Sequence, residues 1–260
     1  MKYKIIDFHT HPYLDIDTNI CRYKKDFTFS PAEYKKQLKD LGIEKICGSV
    51  IDTTVKVESF NDIERINDTA RRLKDLLGDF YLAGYIIHPK FVKESISLIN
   101  DLKKSGERLI GEIVPSYLNC AYTDEGFDEI FASASGMVFS FHSTVSGEDQ
   151  HQAIDRLIEK HKDVIFVGAH PGETDFVERH IERMKKFDNY YLDISGTGIF
   201  RNGMLANAIK EVGSERILFG SDFPTCNPAM FVGGVVLDDL ISKKDKQNIL
   251  YKNAKKLLNL

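Results

Sequence analysis

The chain has 260 residues, 42% of them apolar and 28% charged, with a formal net charge of −4. This supplies a substantial core and an ordinary solvated surface, and the absence of any run of five like charges argues against a nucleic-acid-binding surface. No apolar stretch approaches the ~20 residues of a membrane span, and "MKYKIIDFHTH" lacks a signal peptide's apolar core and cleavage site, so a cytoplasmic protein is expected.

The first predicted strand, KIIDF (4–8), runs into His9 and His11 before Pro12 breaks it. Side chains two positions apart on a strand share a face, so the two imidazoles leave the backbone side by side. They are either surface-loop histidines or one wall of a metal site. Arg22 and Tyr23, in the long loop that follows, are lid candidates. SPAE (30–33) reads as a capping box with proline at the first helical position. Further strands are predicted at KICGSV (45–50), FYLAGYII (80–87), RLIGEIV (108–114), MVFSFH (137–142), VIFVGAH (164–170), YYLDIS (190–195) and RILFGSD (216–222), with helical patterns between them. Gly42, Gly78 and Gly106 fall where left-handed helix caps belong, and SKKD (242–245) offers a late serine cap.

From the fourth run onward the strands recur about every 27 residues, close to a minimal βα unit. The runs are continuously apolar, as parallel strands covered on both faces are. Eight such units predict a single (β/α)8 TIM barrel over residues 1–260. An open doubly wound sheet would bring a glycine-rich phosphate turn after the first strand, and none is present. Cys21, Cys47, Cys120 and Cys226 stand far apart with no C-x-x-C pair and read as free thiols.

His151, His161 and His180 lie in polar helical stretches and read as solvated. The other five histidines lie at or just past predicted strand ends: His9, His11, His88, His142 and His170. Glu112 and Asp222 sit at the same level. In a barrel these ends converge on one rim, where catalysis takes place. Carboxylates buried there without a partner cost several kcal/mol, and a divalent cation is the natural partner. Imidazole and carboxylate donors without thiolates suit zinc first, with manganese or iron(II) as alternatives. Asp7, one layer below His9, reads as a buried hydrogen-bonding group.

IIDFHTH, FSFHS, GAHPG and LFGSDFP, in that order, resemble the amidohydrolase superfamily, in the branch that holds hydrolases, lactonases and decarboxylases of the aminocarboxymuconate-semialdehyde type. LDISGTG and the C-terminal NILYKNAKKLLNL are also similar to that branch. The resemblance implies that His9, His11 and Asp222 ligate a metal and that His142 ligates it or a second one. It implies that His170 either ligates a second metal or polarises the substrate. Glu112 departs from the lysine many superfamily members carry on strand 4, but its GEI context resembles TatD-type nucleases. It either bridges two metals, or supports the ligands without touching the metal, or contacts substrate.

The expected function is metal-dependent hydrolysis of a small-molecule amide, ester, lactone or phosphoester by water activated at one or two divalent ions, with Asp222 and His170 as catalytic groups. The alternative is a nonoxidative decarboxylase or hydratase acting on a small carboxylate, and a third reading is a non-catalytic metal-binding protein. His88 and Arg201 are the substrate-binding candidates, Arg201 for an anionic group. The reading leaves a homodimer open.

Overall fold

The structure, a computed structural model, describes residues 3–21, 23–198 and 201–260, so the lid candidate Arg22 lies outside the described residues. Eight strands follow in order: β1 (Ile5–Asp7), β2 (Ile43–Ser49), β3 (Tyr81–Gly84), β4 (Leu109–Ile113), β5 (Val138–His142), β6 (Ile165–Ala169), β7 (Tyr190–Asp193) and β8 (Ile217–Leu218). β1 to β3 and β4 to β8 form two all-parallel ladders. Backbone contacts close both gaps. The Tyr85 N–H donates to the Leu109 carbonyl (3.1 Å), the Gly111 N–H to the Tyr85 carbonyl (2.8 Å), and Thr10 bridges Phe223 in parallel register. The result is the predicted (β/α)8 barrel.

Every predicted run contains a strand, and all but β5 end before the run does at its C-terminal end. There the chain leaves the ladder: His170 (φ 70°) and Asp222 (φ 60°) take left-handed backbone conformations that turn it toward the barrel mouth. Such conformations are uncommon outside glycine and are held only where the surroundings over-determine them.

One buried apolar cluster draws Ile6 and Phe8, Cys47, Leu109, Val138, Val167 and Leu218 from the β1, β2, β4, β5, β6 and β8 segments. Leu82 of β3 and Tyr191 of β7 pack against it, so every strand contributes, as the filling of a barrel requires. Ala254 and Leu257, near the C-terminus, join the same cluster. The larger cluster packs the barrel wall against α1 (Pro31–Asp40), α2 (Phe60–Leu77), α3 (Val92–Ser105), α5 (Gly126–Ala132), α6 (Glu148–Lys160), α7 (Thr174–Lys186) and α8 (Met204–Val212), the short α4 (Pro115–Leu118) lying between β4 and α5. The capping box at Ser30 forms reciprocally with Glu33, and Ser242 caps through Asp245. Gly106 takes the left-handed cap, whereas Gly78 (φ 58°, ψ −143°) ends α2 outside the left-handed helical region.

One expectation is overturned. His151, His161 and His180 are buried, not solvated. On α7, Val177, Ile181 and Met184 mark the face turned to the barrel, and His180 falls on that face between them. Burial is possible because each ring is hydrogen-bonded: His180 to Tyr190 and Ser143, His161 to Asp128, and His151 beside Arg183. Burial pushes the His180 imidazole down to about 3, so it is neutral.

Gly48 (φ 137°) lets β2 press against the chain above β1: a Cβ there would stand 2.0 Å from the Thr10 carbonyl oxygen, a rigid backbone atom. Gly48→Ala is therefore expected to destabilise the protein by at least ~3 kcal/mol, adding a steric clash to a strained φ. Urea unfolding should show a lower midpoint with an unchanged slope; an unchanged midpoint would show that the backbone there can move aside.

Candidate metal centre

The strand ends bring the expected residues together. His9 Nε2 and His11 Nε2 lie 3.1 Å apart, and Asp222 Oδ1 stands 3.8 and 3.5 Å from them. Glu112 is the centre of the cluster. Its Oε2 lies 3.5 Å from His9 Nε2 and 3.3 Å from His11 Nε2, while its Oε1 lies 3.2 Å from His142 Nδ1 and 3.4 Å from His170 Nε2. Two sets of donor atoms converge closely enough to hold an ion, His9–His11–Asp222 and His9–Glu112–His170. His142 joins neither; its Nε2 is bonded to Thr144 Oγ1 at 2.9 Å.

The outward nitrogens show how the rings are held. His11 Nδ1 lies 2.9 Å from the Ser49 carbonyl, which can only accept, so Nδ1 carries the proton and Nε2 presents a lone pair. His9 Nδ1 lies 2.9 Å from Asp193 Oδ2, a carboxylate, with the same consequence. Two lone pairs 3.1 Å apart repel unless positive charge lies between them, as a proton or a metal ion. This donor set fits a divalent cation.

The electrostatics agree. Burial opposes charge on His9, but Asp193 and Glu112 raise its imidazole well above the ordinary value. Burial likewise works against ionised Glu112, yet the charge of His9 and the close approach of the His11, His142 and His170 rings hold it well below the carboxylate range. Glu112 and Asp193 are thus held toward the ionised form and His9 toward the charged one, and that positive charge is what a metal ion would replace. Asp7, fully buried, accepts hydrogen bonds from Ser221 N–H (2.9 Å), Ser221 Oγ (2.6 Å) and His9 N–H (3.3 Å), bracing the turn that delivers Asp222. Burial pushes its carboxyl up to about 7 against those bonds.

Beside the cluster lies a cavity of about 70 Å³ with His11, Glu112, His142, His170 and Asp222 on its polar side and Ile20, Ile51, Val114 and Tyr117 on its apolar side. Neither substrate-binding candidate lines it. His88 is committed to backbone, through Nε2 to the Leu118 carbonyl (2.9 Å) and through Nδ1, which accepts the Lys90 N–H (3.1 Å). Arg201 is paired with Glu173 at 2.6 Å on the surface. Tyr23, the described lid candidate, is 81% exposed. Sequence reasoning missed Asp193 and Ser195. Their signal was available: both lie in YYLDIS, at the C-terminal end of β7, level with Asp222.

The fold and this donor set define a metal-dependent enzyme of the barrel type. A family model described as Amidohydrolase matches residues 6–260, and the chain belongs to that family. No curated protein matches it. Among solved structures it is similar to a 2,6-dihydroxybenzoate decarboxylase complexed with 2,6-dihydroxybenzoate (TM-score 0.77, 16% identity, covering 99% of this chain and 100% of that one). It is also similar to the 5-carboxyvanillate decarboxylase of Sphingomonas paucimobilis (0.71, 12%, 99% of both chains). The enzyme of that name from Novosphingobium aromaticivorans, solved with manganese, is similar as well (0.73, 14%, 99% and 96%). Among the described residues no helix is long and apolar enough to cross a membrane.

Asp193→Asn should leave a folded barrel and weaken zinc or manganese binding 10–100-fold, because the amide no longer holds His9 as a charged acceptor does. Calorimetric titration measures this. In both proteins affinity should fall as pH falls, since the metal must displace the proton that His9 holds unusually tightly. Equal affinities would remove Asp193 from the site.

Proposed function

We propose that the protein is a metal-dependent nonoxidative decarboxylase of a small carboxylic acid with an apolar, planar body, of the hydroxybenzoate kind. The observation that carries this reading is the cavity: among the described residues its lining contains no lysine or arginine, and it joins apolar side chains to the metal cluster. Among the described lining residues, the compensating charge for an anionic group lies at that cluster. The decarboxylases with which the chain shares its whole fold support the same reading over hydrolysis, the function first expected.

His9, His11 and Asp222, with Glu112 or His170 beside them, would hold the ion, which when bound supplies a positive charge for an anionic substrate. Ile51, Val114 and Tyr117 orient the body of the substrate and exclude water. The bond to the carboxylate carbon breaks, carbon dioxide leaves, and the electron pair left on the substrate carbon takes a proton. Asp222, lining both cluster and cavity, is the group placed to pass it.

The test is a panel of hydroxybenzoates and related acids incubated with manganese- and zinc-loaded protein, with carbon dioxide release followed directly. Release is expected, and Asp222→Asn should reduce it by at least ~10², the lower end of proton-transfer contributions. Hydrolysis of a parallel ester, lactone and amide panel without carbon dioxide release would overturn the proposal.

A second reading, hydrolysis at a two-metal centre, is favoured by one observation: each Glu112 oxygen faces its own pair of imidazoles. A carboxylate so placed can bridge two cations about 3.5–4 Å apart. On this reading wild type binds two equivalents of metal and Glu112→Gln about one. Saturation of the wild type at one equivalent would exclude it.

A further inference from the structure

The stretch Asp193-Ile194-Ser195-Gly196 carries the chain off the C-terminal end of β7. Ser195 is fully buried. Its backbone N–H donates to Asp193 Oδ1 at 2.9 Å, and its hydroxyl forms a short hydrogen bond to the same oxygen. The Ser195 Oγ also lies 3.1 Å from His170 Nδ1. A serine hydroxyl has one proton, and a carboxylate can only accept. The proton of Ser195 is thus committed to Asp193, and toward His170 the oxygen can only accept.

We infer that Ser195 is a positioning residue: by accepting from His170 Nδ1 it fixes that ring in the Nδ1–H tautomer, so Nε2 faces Glu112 with a lone pair. Neutral His170 then takes a cation or a proton at Nε2 and donates nothing there. This assigns His170 to the metal side of the cluster, as ligand or base, and excludes its use as a neutral hydrogen-bond donor polarising substrate.

Two glycines support the assignment. A Cβ on Gly196 (φ 64°) would stand 2.3 Å from His170 Nδ1, so the ring lies directly against that backbone. A Cβ on Gly220 would meet the Cβ atoms of His9 and Ser195 at 2.7 and 3.0 Å. Asp193 completes the arrangement by accepting from His9 Nδ1 on its other oxygen. One buried carboxylate–hydroxyl pair therefore sets the tautomers of two imidazoles on different strands. The same packing that leaves no room for a side chain at either glycine keeps the rings from turning over.

The inference rests on the metal-site reading of the cluster, but its test does not need metal. Long-range proton–nitrogen correlation spectra of metal-free, nitrogen-15 histidine-labelled protein, recorded as the pH is raised until the His170 signals stop moving, report its tautomer. Wild-type His170 is expected to be protonated at Nδ1 alone. In Ser195→Ala it should shift toward the Nε2–H form, which can donate to Glu112, and Ser195→Thr should restore the wild-type pattern. Zinc affinity of Ser195→Ala should fall 10–100-fold, as for other lost outer hydrogen bonds to ligating histidines. Wild-type His170 protonated at Nε2 would overturn the inference even if no variant folds, as would an unchanged tautomer in a folded Ser195→Ala. A protein showing the expected tautomers but taking up no zinc would instead refute the metal site and leave the role of Ser195 standing.

Discussion

The site depends on one backbone seam. The barrel closes where the first strand meets the last, and its closing hydrogen bonds are also those that set the relative positions of His9, His11 and Asp222. The Phe8 N–H donates to the Phe219 carbonyl (2.8 Å), the Asp222 N–H to the His9 carbonyl (2.9 Å) and the His11 N–H to the Phe223 carbonyl (2.7 Å). Residues more than two hundred positions apart are thereby locked main chain to main chain. A ladder holds side chains to tolerances that loops do not, and a binding constellation needs such tolerances. Asp7 adds a side-chain brace across the same seam, through both the amide and the hydroxyl of Ser221.

Around the seam, charge organises the rest. Glu112, Asp193 and Asp222 are buried carboxylates within a few ångströms of His9, and a core built for stability alone would not collect them. Buried ion pairs often contribute less than well-packed apolar side chains of the same volume. Their concentration at the mouth, above an apolar filling to which every strand contributes, separates the part of the barrel that stabilises from the part that binds.

Much of this was legible in the sequence, for identifiable reasons. Strands buried on both faces read as continuous apolar runs, so all eight were found. Histidines and acids at the ends of such runs stand out because nothing in a core explains them. What escaped notice depended on side-chain direction. His180 lies in the charged stretch DFVERHIERMKK, where composition suggests water, and only its spacing from Val177, Ile181 and Met184 places it inward. His88 ends its run like the others, but its ring turns back to cap the Leu118 and Lys90 backbone. Asp193 and Ser195 sit at the end of β7 with no histidine beside them, so LDISGTG counted only toward the family resemblance and neither residue was singled out. Their partners, His9 and His170, are 184 and 25 residues away.

The division between legible and hidden residues follows the barrel's construction. The cluster is supplied by strand ends, whose positions are fixed by hydrogen-bond register, so a one-dimensional pattern suffices to find it. Apart from Val114, at the end of the RLIGEIV run, the apolar lining of the cavity is supplied from elsewhere: Ile20 from the chain after β1, Ile51 from just past β2, Tyr117 from α4. None belongs to a periodic strand pattern, and in sequence each looks like any surface-segment apolar residue. Fixed strand ends and separately built walls divide the site into two parts that can vary independently. The walls can change shape without disturbing the seam, and the seam preserves the ligand geometry whatever the walls enclose.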